Sequence, residues 1–181
     1  VYGQGYAREY RAQRGVEGTP EQRSVSSSEV DVAALFFLRE NNDLDLEKLP
    51  ARGGFSGYVM DNGAGNGWLM GSNQTRQVPG YPKAADGTAN EDRMHRIAAR
   101  NDYVFSYLGE HVFGTRSFGM DRGLAGASVW VQHVNGNWYP CALLQGTMPD
   151  PANAAQTISV VRAIDGGVAH LIEEAEGLAV T

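Results

Sequence analysis

Between residues 128 and 144 an Asn-Gly pair, Asn135-Gly136, separates two runs rich in β-branched and aromatic residues, Ser128–Val134 and Asn137–Leu144. Asn-Gly is the favoured centre of a two-residue type I′ turn, because both positions take positive φ there. The pattern predicts a hairpin, and a hairpin of this length commits its part of the chain to an antiparallel sheet. Strand alternation places Trp130, Gln132 and Val134 on one face and Val129, Val131 and His133 on the other. Pro140 has no N–H to give to a ladder, which predicts an edge or a bulge in the second strand.

The remaining elements are read around this hairpin. After a loop marked by Pro149 and Pro151, Thr157–Ile164 is predicted as a further strand, and Val168–Glu176 as a terminal helix following Gly166 and Gly167. Upstream, Ser28 with Asp31 resembles a capping box, and Val30, Ala33, Ala34, Phe37 and Leu38 recur at helical spacing. These residues predict a buried core helix ending near Glu40. Leu44–Leu49 reads as a short helical turn stopped by Pro50. Gly57–Asp61 and Trp68–Gly71 are predicted to be strands about the glycine-rich run 62–67, which fits no phosphate-binding pattern. Ser72–Gly87 reads as a long exposed loop. A helix over Glu91–Arg100, capped by Thr88 or Asn90, is predicted to carry Met94, Ile97 and Ala98 on one face and Arg93, Arg96 and Arg100 on the other. Tyr103–Leu108 fits either a strand or a helix. The fold class expected is α+β: an antiparallel sheet built from hairpins and packed against a buried helix.

At 181 residues the chain has the length of one domain. Residues 28–181 are expected to form a single α+β globular domain, and residues 1–27, rich in glycine and serine, an N-terminal arm or linker, flexible or helical. Within the arm Tyr2, Tyr6 and Tyr10 recur every four residues beside Arg8, Arg11 and Arg14, a stripe that on a short helix could dock on a partner. The sequence starts at Val1, which suggests either a processed chain or a piece cut from something longer, a removed signal or membrane anchor being one way to obtain it. The longest apolar run, Val32–Leu38, is about a third of the roughly 20 residues a membrane-spanning helix needs. A formal net charge of -6 argues against nucleic acid as a partner, since polyanion affinity comes from clustered Lys and Arg.

The chemistry-bearing residues are sparse. One cysteine, Cys141, allows no internal disulfide and sits in an apolar run where a buried thiol is expected. His95, His111, His133 and His170 form no H-x-x-x-H pair, so no metal and no cofactor are expected. Asp86, Thr88, Asn90 and Asp92 alternate like calcium ligands, but Glu91 and Ile97 stand where such a loop needs glycine and glutamate. No G-x-S-x-G elbow exists; Thr115–Gly119 lacks its first glycine. Together with the start at Val1, the tyrosine-and-arginine arm, the long polar loop and 23 glycines, these absences favour a noncatalytic structural or protein-interaction subunit of an extracytoplasmic or virion-type assembly, a pilus, envelope or capsid component, with an extracytoplasmic or virion-surface location. Its contacts, with protein partners or with itself, are expected at Tyr2, Tyr6, Tyr10, Arg11, Tyr81, Arg93, Arg96 and Arg100. The rival is a small-ligand-binding sensory or enzymatic domain with a pocket lined by Trp68, Tyr103, Trp130 and Trp138.

Overall fold

The computed structural model describes residues 7–12, 25, 28, 32–37, 57–60, 66–71, 73–81, 94–119 and 124–179. Antiparallel sheet dominates them. In chain order the strands are β1 (Ala7–Ala12), β2 (Ala33–Phe37), β3 (Arg76–Gly80), β4 (His95–Arg100), β5 (Ser106–Gly109), β6 (Val112–Thr115), β7 (Ser128–Gln132), β8 (Trp138–Asp150) and β9 (Asn153–Ala163). The helices are α1 (Gly67–Met70) and α2 (Gly166–Ala179). β1 and β2 form a two-stranded sheet, and the other seven form one antiparallel sheet in the order β4-β3-β7-β8-β9-β6-β5.

The predicted hairpin is present as β7 and β8, and Pro140 lies at its bulge. Val129 pairs with Ala142 and Trp130 with Pro140, leaving Cys141 as the extra residue. The turn differs from type I′. Gly136 N–H donates to His133 O at 2.9 Å and His133 N–H to Asn137 O at 2.8 Å, and of the Asn-Gly pair only Gly136 has positive φ (83°). This is a three-residue loop in which a tight turn is followed by a left-handed glycine. The predicted last strand and terminal helix are both present, as β9 and α2. The strands reach further than expected, however: β8 runs through Pro149 to Asp150, and β9 starts at Asn153.

Several sequence expectations are overturned. Ala33–Phe37 is strand β2, not the middle of a buried core helix; a short apolar run satisfies either period, and here β1 supplies a partner. Tyr10 and Arg11 accordingly lie in a strand, opposite Leu35 and Ala34, instead of on a helical stripe. Trp68–Gly71 begins in a helical turn, because the Asn66 side chain accepts hydrogen bonds from Trp68 N and Leu69 N, both at 3.1 Å. The long loop over 72–87 contains β3. Pro79 is tolerated there because β3 pairs with β7 only at Arg76 and Gln77, so no ladder bond is lost. His95–Arg100 is strand β4, paired with β3.

The two edge strands of the large sheet, β4 and β5, are consecutive in sequence. Seven flat strands about 4.8 Å apart would separate the edges by roughly 29 Å, whereas the chain from Arg100 to Ser106 spans at most about 21 Å. The sheet must therefore curl. Its concave face buries Leu69, Val78, Phe113, Val129, Val131, Leu144 and Val161, and Tyr103 and Phe105 of the crossover plug the same core. Arg76, only 1% exposed, fastens this closure. It donates to Leu69 O of α1 and to Asn101 O at 3.2 Å, and lies 5.7 Å from the Phe105 ring centre. On the convex face α2 packs Val168, Leu171 and Ile172 against Ile164, Val32, Tyr58 and Leu143. No helix among the described residues is long and apolar enough to cross a membrane.

Candidate functional site

The crossover between the edges is extended and alternates strictly. Tyr103 and Phe105 are buried while Asp102, Val104 and Ser106 face out. Side chains anchor this segment. Val104 N donates to Ser117 Oγ at 2.8 Å, and Thr115 Oγ1 donates to Val104 O at 2.6 Å. Both backbone groups of Val104 are thus satisfied without a ladder, which leaves its side chain 68% exposed.

On the convex side, Val104, Ser106 and Leu108 form one wall of a cavity of about 470 Å³. Gly114 and Ile158 supply its floor, and Arg116, Ser117 and the β8–β9 turn at Asp150, Pro151 and Ala152 complete the lining. Gly114 keeps the floor low, since a Cβ there would stand 2.5 Å from Ile158 Cδ1. The lining is mostly apolar and the volume falls within the range of about 300–1,000 Å³ typical of ligand sites. Arg116 is ion-paired with the buried Asp150. The Asp150 carboxyl is held below the usual carboxylate range by the Ala152 N–H, which it accepts at 2.8 Å, and by Arg116. With Asp150 saturated and no imidazole in the lining, the cavity offers no base to activate Ser106, Ser117 or Thr115.

A second polar cluster lies where the β5–β6 turn meets α2. Glu110 (φ 48°) and His111 (φ 61°) are both left-handed, the geometry of a type I′ turn made without glycine. His111 Nε2 lies 3.5 Å from Asp165 Oδ2. The same carboxylate accepts from buried Arg162 at 3.2 Å, and Oδ1 caps α2 through Val168 N at 2.9 Å. Burial pushes the Asp165 carboxyl up, but the Val168 N–H, Arg162 and His111 outweigh it and hold the group below its ordinary value. This cluster is a structural clamp.

The sequence-predicted site residues are dispersed. Tyr103 packs edge-on against Phe118 in the concave core, ring centres 5.6 Å apart. Trp68 packs at the margin of the same core, 5.6 Å from His133, and donates Nε1–H to Met60 O. Trp130 and Trp138 lie half-buried on the convex side, opposite Pro140 and Gln132. The four aromatics therefore do not line one pocket. Tyr81 is exposed beyond β3. A bulge splits the arginine stripe: Arg96 pairs with Pro79 and Arg100 with Arg76, residues that point to opposite faces. Arg96 reaches Gln77, and Arg100 forms a bidentate pair with Asp102. Tyr2, Tyr6 and Arg93 lie outside the described residues, as do the 62–65 glycines and the 86–92 oxygen ligands. Cys141 is buried, donates to Val129 O at 3.3 Å, and has its thiol pushed up to about 12 by burial. Among the described residues no group of three or more His, Cys, Asp or Glu could hold a metal ion.

What the sequence reading missed is the cavity itself. Its one sequence signal is the alternation of 102–106, ambiguous because Tyr107 and Leu108 break it. Comparison with protein-family models, with curated proteins and with solved structures yields no match, so the site is read from its own geometry.

Proposed function

We propose that this chain is a noncatalytic protein-interaction domain that takes up an extended polypeptide segment beside β5, as a subunit of an assembly would. The contrast between the two edges of the large sheet carries the reading. An unpaired edge strand is a template for another strand, and natural sheets guard such edges with charge. β4 is guarded: three of its six residues are His95, Arg96 and Arg100. β5 is not, for no charged residue lies between Asp102 and Glu110, and Val104 (68%) and Tyr107 (43%) are exposed there. Among the described residues β5 pairs only with β6. The cavity lies along this open edge, placed to receive an apolar side chain of the added strand.

Selection of a random peptide library against the full chain tests this. Enriched peptides should alternate apolar and polar residues, bind wild type, and lose binding to Val104→Lys. Binders indifferent to Val104→Lys, or no binders at all, would refute it. The cavity's size favours a second reading, since about 470 Å³ exceeds a single side chain and would accommodate a small apolar molecule. Such a ligand would raise the melting temperature of wild type and not of Gly114→Val.

A further inference from the structure

We infer that the segment β5 accepts is β5 of a second copy of this chain. The inference rests on the edge reading above and supplies its occupant. An isologous contact requires a surface complementary to itself about a two-fold axis, and an antiparallel strand pair has that symmetry. Residues facing each other across such a pair share a face. About an axis at Ser106, Ser106 of each copy therefore meets its counterpart and Val104 meets Leu108 of the other copy on the convex side, and the two cavities adjoin across the axis. Tyr107 of both copies lies on the opposite side of the joined strands.

Charge fixes the direction. Glu110 follows the end of β5, is exposed, and has no ion pair among the described residues. Arg116 stands at the other end, where Thr115 and Ser117 grip Val104, and is half-exposed. The other carboxylates at that end are engaged: Asp102 is held by Arg100, and Asp150 is buried beneath Arg116. Antiparallel pairing brings Glu110 of each copy towards the Arg116 end of the other, twice by symmetry. A parallel pair would set Glu110 beside Glu110. The alternative self-contact, β4 on β4, would crowd Arg96 and Arg100 against their own images. The contact is short and lies below the roughly 1,200 Å² of stable complexes, so a reversible dimer with a dissociation constant on the order of 100 µM is expected.

Sedimentation equilibrium of the full chain from about 5 to 500 µM covers that range. Wild type should pass from monomer to dimer, and Val104→Lys should raise the dissociation constant about tenfold or more by placing two like charges at the seam. Glu110→Arg should weaken the dimer as well, and more strongly at low salt, where exposed charges act furthest. Val104 is exposed, so thermal unfolding of Val104→Lys should match wild type and show that folding is intact. A wild type that stays monomeric overturns the inference. If it stays monomeric yet binds library peptides along β5, the edge reading survives and only the occupant is wrong; if it also binds none, both fail. A dimer unaffected by Val104→Lys uses another surface and overturns the inference equally.

Discussion

Replacing Asp165 separates the two roles this residue plays in holding α2 to the sheet. Its Oδ1 caps the helix through Val168 N at 2.9 Å, and its Oδ2 faces Arg162, which is 1% exposed, at 3.2 Å. Losing a helix cap costs about 1 kcal/mol. Removing one partner of a buried ion pair costs about 3–5 kcal/mol, because the remaining charge is left in the interior. Arg162 also donates to Ala163 O, which favours the lower end. Asp165→Ala should therefore destabilise the domain by about 4 kcal/mol, a large part of the 5–15 kcal/mol usual for a folded domain. Asp165→Asn keeps a capping oxygen and loses only the charge, so it should cost about 3 kcal/mol. Urea unfolding followed by tryptophan fluorescence measures both. The pH dependence gives an independent sign. The folded-state pKa of Asp165 lies below its ordinary value. The stabilisation is thus present above the unfolded pKa of about 4 and is lost as pH falls through the folded value. Wild type should lose stability below about pH 4 more steeply than Asp165→Asn. The reasoning fails if Asp165→Ala stays within about 1 kcal/mol of wild type, or if the asparagine variant has the steeper acid limb.

Three further outcomes follow from single positions. Gly114→Val would drive a Cβ to 2.5 Å from Ile158 Cδ1 and 3.2 Å from Leu108 Cδ1, costing about 1–3 kcal/mol by overpacking and filling the cavity floor; chemical denaturation gives the first effect and loss of peptide or ligand binding the second. The Cys141 thiol, pushed up to about 12, should resist a thiol reagent at neutral pH in the native protein and react stoichiometrically in denaturant. Glu110→Asn places a residue that tolerates left-handed backbone at φ 48° and should raise stability by about 0.5–1 kcal/mol in thermal unfolding.

The parts of the fold legible in the sequence are those where local chemistry and tertiary pairing agree. Asn135-Gly136 announces the β7–β8 hairpin although the turn is one residue longer than type I′, because a left-handed glycine serves both geometries. Gly166-Gly167 before an amphipathic run marks α2. Where the two disagree, pairing decides. The arginines of 91–100 suggest a helix face, yet β3 offers a ladder that puts Ile97 beside the buried Val78, and the segment becomes an edge strand. The site was illegible for a different reason. Its walls come from β5, β6, the β8–β9 turn and β9, and nothing in residues 104–108 reveals that Gly114 and Ile158 will lie behind them. The large aromatics that looked like a pocket were recruited instead by the concave core or spread over the convex face.

The closure of the sheet and the exposure of its uncharged β5 edge are one event. Arg76 is buried without a carboxylate among the described residues, and burial pushes its pKa down, so the core bears the cost of a charge that hydrophobic packing alone would not demand. What that guanidinium secures is the crossover: through Asn101 O and Phe105 it pulls 101–105 across the open end of the curled sheet. In an extended chain, turning Tyr103 and Phe105 inward turns Val104 and Ser106 outward. The device that completes the core therefore also presents the uncharged edge. A sequence that moved the plug residues by one position would keep the apolar count and reverse both faces. The sheet's need to curl, set by a five-residue link between its two edges, is thus the reason the cavity lined by Val104, Ser106 and Leu108 lies beside β5.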